Sequence, residues 1–273
     1  MKIALIDNGS LEPAAHVGLR AAAAAIGGRA GARVEAVSWR HSDRIPSYAL
    51  EGGPAHTLVP WVRDQVADGE REFIFIPFFI SPQGAIGSSL RKDLLSLQAE
   101  EGGFEFLFAD GLASDAPIAA IVADRVREAA AAAGLERPPV IVVDHGSPLR
   151  ASAEVRDQAA GATRLLLRAE VSRLAAASME SPDGPDFDFN RPLLADALLS
   201  PGYNSGDVVV APLFLSPGRH AGPGGDLSRI AREAEARSPG LRCHFAGLVG
   251  THPLVTEHLA SSLVSALSMG ALP

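Results

Sequence analysis

Two histidines stand where the chain leaves short apolar runs. Val208 to Leu215 ends at Ser216-Pro217-Gly218, and His220 follows. Val140 to Val143 ends at Asp144-His145-Gly146-Ser147-Pro148. Apolar runs this short, rich in β-branched residues, read as strands buried on both faces. Glycine and proline then stop each strand and delay the next helix. Each imidazole is thereby placed just past the carboxyl end of a strand, the edge at which open α/β sheets bind ligands. Imidazole is neutral near pH 7, binds divalent transition metals and accepts protons. A lone histidine in such a place only caps a strand or bonds a carbonyl. Two in matching places can share one ion or do acid–base work.

The elements that must position them follow from the rest of the chain. Strands are expected near Lys2 to Asp7, Arg33 to Ser38, Glu72 to Pro77 and Phe104 to Phe108. A second set is expected near Val140 to Asp144, Arg173 to Ser178, Asp207 to Leu213 and Leu241 to Phe245. Helices alternate with them, near Pro13 to Ile26, Ala55 to Ala67, Ser89 to Ala99, Pro117 to Ala133, Arg150 to Ala169, Pro192 to Leu199, Asp226 to Arg237 and Pro253 to Ser268. Strands alternating with helices of this length imply parallel sheets with right-handed crossovers.

The sequence is also a tandem repeat. Ile6-Asp7-Asn8-Gly9-Ser10 matches Val143-Asp144-His145-Gly146-Ser147, an offset of 145 − 8 = 137. Pro77 to Pro82 matches Pro212 to Pro217, an offset of 212 − 77 = 135. Gly111 to Ile118 matches Gly247 to Leu254 at 136, and Val37-Ser38 matches Ala177-Ser178 at 140. Blocks in one order at a nearly constant offset indicate duplication. The expected architecture is α/β: two tandem four-stranded parallel sheets, each with helices on both faces, related by a pseudo-twofold. The expected domains are 1–137 and 138–273, joined at the prolines Pro138-Pro139.

The halves differ where chemistry would sit. Asn8 stands in place of His145, and Ala85 in place of His220. The glycine cluster Gly222, Gly224, Gly225 has only Gly87-Ser88-Ser89 opposite it. Joint loss of both histidines, with Gly9, Ser10, Ser81 and Pro82 retained, indicates that the pair acted as a unit.

Bulk properties narrow the partners. The chain has 273 residues, 47% hydrophobic and 21% charged, which fits a soluble globular protein of two domains. No apolar run approaches bilayer length, and Met1-Lys2 leads into too short a run for a signal peptide, so no membrane association is expected. Cys243 is the single cysteine, which excludes internal disulfides and thiolate clusters. A cytoplasmic location is the default. A net charge of −8 and 5% aromatics argue against nucleic acid.

His-Gly-Ser after a first strand, here at 145–147, and P-x-F-L-x-x-G-x-H after a third, at 212–220, resemble the class II tetrapyrrole chelatases. These include the sirohydrochlorin cobalto- and ferrochelatases of the CbiX type. The resemblance spans both halves, because long members of that family are tandem duplications. It implies a lyase of siroheme or cobalamin biosynthesis that inserts Co²⁺ or Fe²⁺ into sirohydrochlorin, with no organic cofactor; Ni²⁺ or Zn²⁺ would serve in vitro. It implies that His145 and His220 are the catalytic, metal-contacting pair. The chain would act as a monomer, being an internal pseudo-dimer, or as a homodimer. One departure is clear: long members keep their histidines in the first half, and here the second half keeps them. A non-catalytic metal- or tetrapyrrole-binding paralogue is therefore the alternative.

The chemistry then asks for further groups. Two imidazoles leave coordination positions open for an incoming ring. Glu180, just past Ser178 at a strand end, is the first candidate to guide the metal. Asp226 is the second, although a cap on the helix it opens is its more ordinary role. Asp144 reads as structural, since Asp7 repeats it in the half without the strand-end histidine pair. Sirohydrochlorin carries carboxylates, and the donors available to them are Ser147, Arg150, Arg219 and the loop of Gly218, Gly222, Gly224 and Gly225.

Other readings are weaker. Ser147 is not in a G-x-S-x-G elbow, and Ser10 repeats it beside the lost histidine, which argues against a hydrolase. The glycine loop lacks P-loop and dinucleotide spacing. His252 and His258 are six apart on an expected helix and face different ways. His41 and His56 read as surface residues. Arg40-His41-Ser42-Asp43 lines the vacated cleft with no evident mechanism. Asp183 to Asn190 reads as a solvated acidic loop.

Overall fold

The computed structural model describes residues 1–81, 89–112 and 118–270. The chain forms two compact units: Met1–Ala116 with Pro253–Pro273, and Pro117–His252.

The first unit holds strands β1 (Lys2–Asp7), β2 (Glu35–Ser38), β3 (His56–Thr57), β4 (Glu72–Pro77) and β5 (Glu105–Phe108), with helices α1 (Pro13–Ala30), α2 (Leu58–Ala67), α3 (Arg91–Glu101) and α8 (Pro253–Gly270). Its strands are parallel in the order β3-β2-β1-β4-β5. The second unit holds β6 (Pro139–Asp144), β7 (Arg173–Ser178), β8 (Gly206–Pro212) and β9 (Leu241–Phe245), with α4 (Ile118–Ala133), α5 (Arg150–Leu166), α6 (Leu194–Leu198) and α7 (Asp226–Arg237). Its order is β7-β6-β8-β9, again all parallel. Every expected strand and helix is present within a few residues, save that Pro117 and the residues from 82 to 88 lie outside those described. The first sheet has one strand more than expected. His56 and Thr57 pair with Val37 and Ser38 before α2 begins, so a segment expected to be helical first covers the open edge of β2.

Why these strands form is plain from burial. Val140, Ile141, Val142 and Val143 are all 0% exposed, as are Val208, Val209 and Val210. Full burial of each such side chain contributes about 1.5–3 kcal/mol over leaving it in water. The first unit fills the same role with rings: Phe73 packs edge-on to Trp61 and Phe104, and stacks along Phe75.

The repeat and the compact units are drawn differently. The repeat boundary lies near residues 137 and 138, but α4 packs on α5, β8 and β9 in the second unit. Helix α8 packs on α1 and β4 in the first, burying Val255, Leu259, Leu263 and Ala266. A helix joins whichever layer its apolar stripe can cover, whatever repeat encodes it. Among the described residues, no helix is long and apolar enough to cross a membrane.

One topological feature positions the site. In the second sheet β6 and β8 are neighbours, yet the chain leaves β6 toward β7 and leaves β8 toward β9 on the opposite side. Loops after adjacent strands that diverge in this way open a crevice at the carboxyl edge. The first sheet repeats this at β1 and β4.

Beneath the crevice the units differ at a buried polar group. In the second, Ser178 Oγ donates to Asp144 Oδ1 at 2.6 Å. Arg156, 3% exposed, donates to Ser178 Oγ and to the Phe189 carbonyl at 2.9 Å, and lies 3.7 Å from Asp144. Arg156 is the seventh residue of α5; the seventh residue of α1 is Leu19, 0% exposed. Asp7 therefore has bonds from Ser38, the Gly9 N–H and its own N–H but no arginine at that position, and burial pushes its pKa up to about 6. The native state then holds a proton on Asp7 that the unfolded chain has released, so stability falls as pH rises from about 4 to about 6. Asp7→Asn removes that loss. We expect it to stabilise the protein by about 1–3 kcal/mol at pH 7.5 and by nothing at pH 4, read by urea unfolding at the two pH values.

Candidate active site

The site is built from backbone upward. Strand pairing brings Val143 opposite Pro212 and Asp144 opposite Ser178. The ladder then runs on past the strand ends. Leu213 N–H donates to the Val143 carbonyl at 2.7 Å, Met179 N–H to Asp144 at 2.8 Å, and Glu180 N–H to His145 at 3.1 Å. His145 and Glu180 are thus tied together by main chain, whatever their side chains do. The chain turns away at Gly146, with φ +94°, where an added Cβ would run into the Glu180 carbonyl. Ser147 is gripped by Asn190, which is 0% exposed: Ser147 N–H donates to Asn190 Oδ1 at 3.0 Å, and Asn190 Nδ2 donates to the Ser147 carbonyl at 2.9 Å.

His220 is placed by the loop between β8 and α7. The loop folds on itself, with Gly222 N–H donating to the Gly218 carbonyl and Gly225 N–H to the Gly222 carbonyl, each at 2.9 Å. The first free N–H groups of α7 hold it in place: Asp226 N–H reaches the Arg219 carbonyl and Leu227 N–H the His220 carbonyl, both at 3.1 Å. Gly222 and Gly225 are needed for space, since a Cβ on either would sit within 2.8 Å of a loop carbonyl.

These two supports bring the imidazoles together. The His145 and His220 rings lie 4.7 Å apart between centroids, edge to face at 80°. His220 Nδ1 donates to Asp226 Oδ2 at 2.7 Å. His145 Nδ1 lies 3.2 Å from the Gly146 carbonyl, and its Nε2 lies 3.5 Å from Glu180 Oε1. The His145, His220 and Glu180 side chains are 44%, 31% and 60% exposed, so the pair opens to solvent. The bonds from His220 and then Arg229 hold the Asp226 carboxyl below the usual carboxylate range. Burial raises the Asp144 carboxyl, against bonds and charges from Ser178 and Arg156.

The structure gathers His145, His220 and Glu180 as expected from sequence, and gives Asp226 another task. Its carboxylate makes no cap bond to α7, whose N-cap is Gly225. It orients His220 instead. Glu180 stands beside His145, and among the described residues no group of three or more His, Cys, Asp or Glu is arranged to hold a metal. The Ser147 hydroxyl accepts the Leu149 N–H at 3.0 Å, as Ser10 does for Glu12, so it serves the turn. Arg150 lies over the Phe189 ring at 4.9 Å, and Arg219 is 82% exposed, 3.7 Å from Asp226. Gly222 and Gly225 spend their N–H groups inside the loop. A cleft of about 270 Å³ begins at Ala221, next after His220, and is walled by Pro212, Pro223, Leu227 and Phe245.

Three supporting residues escape sequence reasoning. Arg156 was signalled faintly: it falls on the inward stripe Ala153, Arg156, Ala160, Thr163 of α5, where an arginine needs a buried partner. Ser178 was signalled by its repeat, Ser38. Asn190 carried no signal, because its partner Ser147 is 43 residues away.

The same frame holds different side chains in the first unit. Arg40 N–H donates to the Asn8 carbonyl at 3.2 Å, as Glu180 does to His145, and a Cβ on Gly9 would strike the Arg40 carbonyl. So Asn8 answers to His145 and Arg40 to Glu180. Arg91 opens α3 as Asp226 opens α7, at the offset 226 − 91 = 135 of the flanking strands. Ala85, expected opposite His220, lies outside the described residues. The carboxylate partners of the histidine pair are therefore absent from the unit in which Asn8 replaces His145.

Residues 139–266 match the CbiX family model. Three solved structures share the fold over the whole chain. SirB from Bacillus subtilis with Fe³⁺ is 15% identical, covers 99% of this chain and 98% of its own, and gives a TM-score of 0.64. The sirohydrochlorin chelatase SirB from Bacillus subtilis subspecies spizizenii, in complex with cobalt, is 14% identical with the same coverage and a TM-score of 0.65. CbiX, described as the terminal enzyme for biosynthesis of siroheme in denitrifying bacteria, is 18% identical over 100% of both chains, with a TM-score of 0.62. No curated protein matches in sequence.

The glycines separate two kinds of support. Gly146→Ala meets both backbone strain and the Glu180 carbonyl, and should cost more than about 2 kcal/mol in urea unfolding. Gly224→Ala, with φ +74° but open space around it, should cost about 1 kcal/mol. Equal losses would show that the Gly146 contact does not matter.

Proposed function

We propose, from the match of residues 139–266 to the CbiX family model, that this protein is a tetrapyrrole metal chelatase. It inserts a divalent metal, Co²⁺ or Fe²⁺, into sirohydrochlorin or a closely related ring. Of the three structures named above, one SirB holds Fe³⁺, and the other, described as a sirohydrochlorin chelatase, is in complex with cobalt.

One observation carries this reading. A carboxylate can only accept hydrogen bonds, so His220 keeps a hydrogen on Nδ1 toward Asp226, which leaves its Nε2 to present a lone pair. His145 stands between two acceptors, with the Gly146 carbonyl 3.2 Å from Nδ1 and the Glu180 carboxylate 3.5 Å from Nε2. Electron-rich atoms set this close are stable when a proton or a cation stands between them. Two imidazoles whose ring centres lie 4.7 Å apart offer a borderline-soft donor pair suited to Fe²⁺ or Co²⁺.

The reaction exchanges two ring N–H protons for one M²⁺, so the protein must hold the ion loosely and take away two protons. His220, aligned by Asp226, holds the metal while the ring displaces its waters. As the ring nitrogens take the ion, His145 releases it, and its freed Nε2 accepts a pyrrole proton and passes it to Glu180, whose exposed carboxylate releases it to water. The second proton leaves by the same route after His145 is reset. The apolar cleft past Ala221 takes part of one ring face, and Arg150 and Arg219 meet the ring's carboxylates.

Insertion followed by absorbance tests this, beside calorimetry with Co²⁺. His145→Ala and His220→Ala should each lose at least about 100-fold in rate. Wild-type rates in both variants would remove the site assignment, and Co²⁺ binding without turnover would make the protein a binder. Asp226→Asn keeps the shape at His220 but not the charge. It should weaken metal binding about 10–100-fold, with Asp226→Glu recovering part of the loss.

A further inference from the structure

The strand-end cleft of the first unit keeps the frame of its counterpart and reverses its charge. Glu180 and Asp226, the two carboxylates that touch the histidine pair, are answered by Arg40 and Arg91. Loss of a metal site needs only loss of its ligands. Replacement of both acids by arginine goes further, in a chain whose net charge is −8.

Both guanidinium groups are held against aromatic faces. Arg40 lies 4.1 Å from the centre of the Trp39 ring, and Arg91 5.1 Å from that of Phe108, the last residue of β5. Such stacking fixes a long side chain and turns its N–H fork outward, which lowers the entropy lost when an anion binds. Trp39 is itself anchored, donating from Nε1 to Asp93 Oδ2 at 3.0 Å. Asp93 also accepts one bond from Arg40 at 3.2 Å, which leaves most of that fork's five donors unused. Among the described residues no carboxylate pairs with Arg91. Asn8 adds a neutral amide where the other unit has a metal-binding imidazole.

We propose that this cleft binds the carboxylates of a flat tetrapyrrole ring and takes no metal, giving the chain a second ring site in addition to the catalytic one. The ligand class rests on the chelatase reading, because such a ring is the anion that reading supplies. The ligand's source is either metal-free substrate or metallated product, and both present the same carboxylates to Arg40 and Arg91.

Calorimetry on the full chain tests the proposal, with metal-free uroporphyrin and its Co complex as separate probes. Wild type should bind two rings per chain, and Arg40→Glu with Arg91→Glu should bind one, with metal insertion unchanged. Arg40→Gln with Arg91→Gln, a milder pair, should weaken one site at least tenfold without a change in unfolding. Two rings retained at wild-type affinity in the glutamine pair overturns the proposal. Failure of the chelatase reading looks different: wild type then binds one ring, and the glutamate pair binds none. Preference between the two probes identifies which source the site takes.

Discussion

Two neighbouring parallel strands, β6 and β8, end at the same level and send their chains to opposite sides of the sheet. Main-chain hydrogen bonds continue for one or two residues past the strand ends and carry His145, Glu180 and Leu213 with them. The Cα of each site residue is therefore fixed by the sheet, and its side chain has little left to search. His220 is the exception. It sits eight residues beyond β8, on a loop that only self-bonding, two close-packed glycines and the N–H groups of α7 hold still. The meeting of the rings depends on the sheet on one side and on a helix end on the other.

Acidic groups around the pair do different work according to burial. Asp144 is enclosed with Ser178 and Arg156 and belongs to the scaffold. Asp226 and Glu180 are open to water and each faces an imidazole nitrogen. In the first unit the enclosed acid persists as Asp7, with its arginine replaced by Leu19, while both open acids have become arginines. Scaffold and strand-end side chains have diverged separately within one chain, which duplication permits.

Much of this was legible in the sequence. Buried runs such as Val140 to Val143 give the strands, the prolines and glycines after them give the turns, and the internal repeat gives the architecture twice over. The histidine pair is visible because two buried apolar runs are each followed, within a few residues, by a histidine. What stayed hidden depended on distance in the chain. Asn190 contacts Ser147 only because residues 185–190 coil into a turn beside β6. The exchange of α4 and α8 between units is set by which face each apolar stripe covers, and no local pattern records that. Asp226 was read as a helix cap because its position, first in a helix, is an ordinary place for one; its true partner lies six residues back and across a loop.

The account stands on one ion gripped by two rings. X-ray absorption at the cobalt edge, on the full chain loaded with one equivalent of Co²⁺, reports the imidazoles around the metal directly. Two imidazole shells in wild type, falling to one in His145→Ala and to one in His220→Ala, is the predicted result. A cobalt ion with oxygen ligands only, or a count that neither substitution changes, would contradict it.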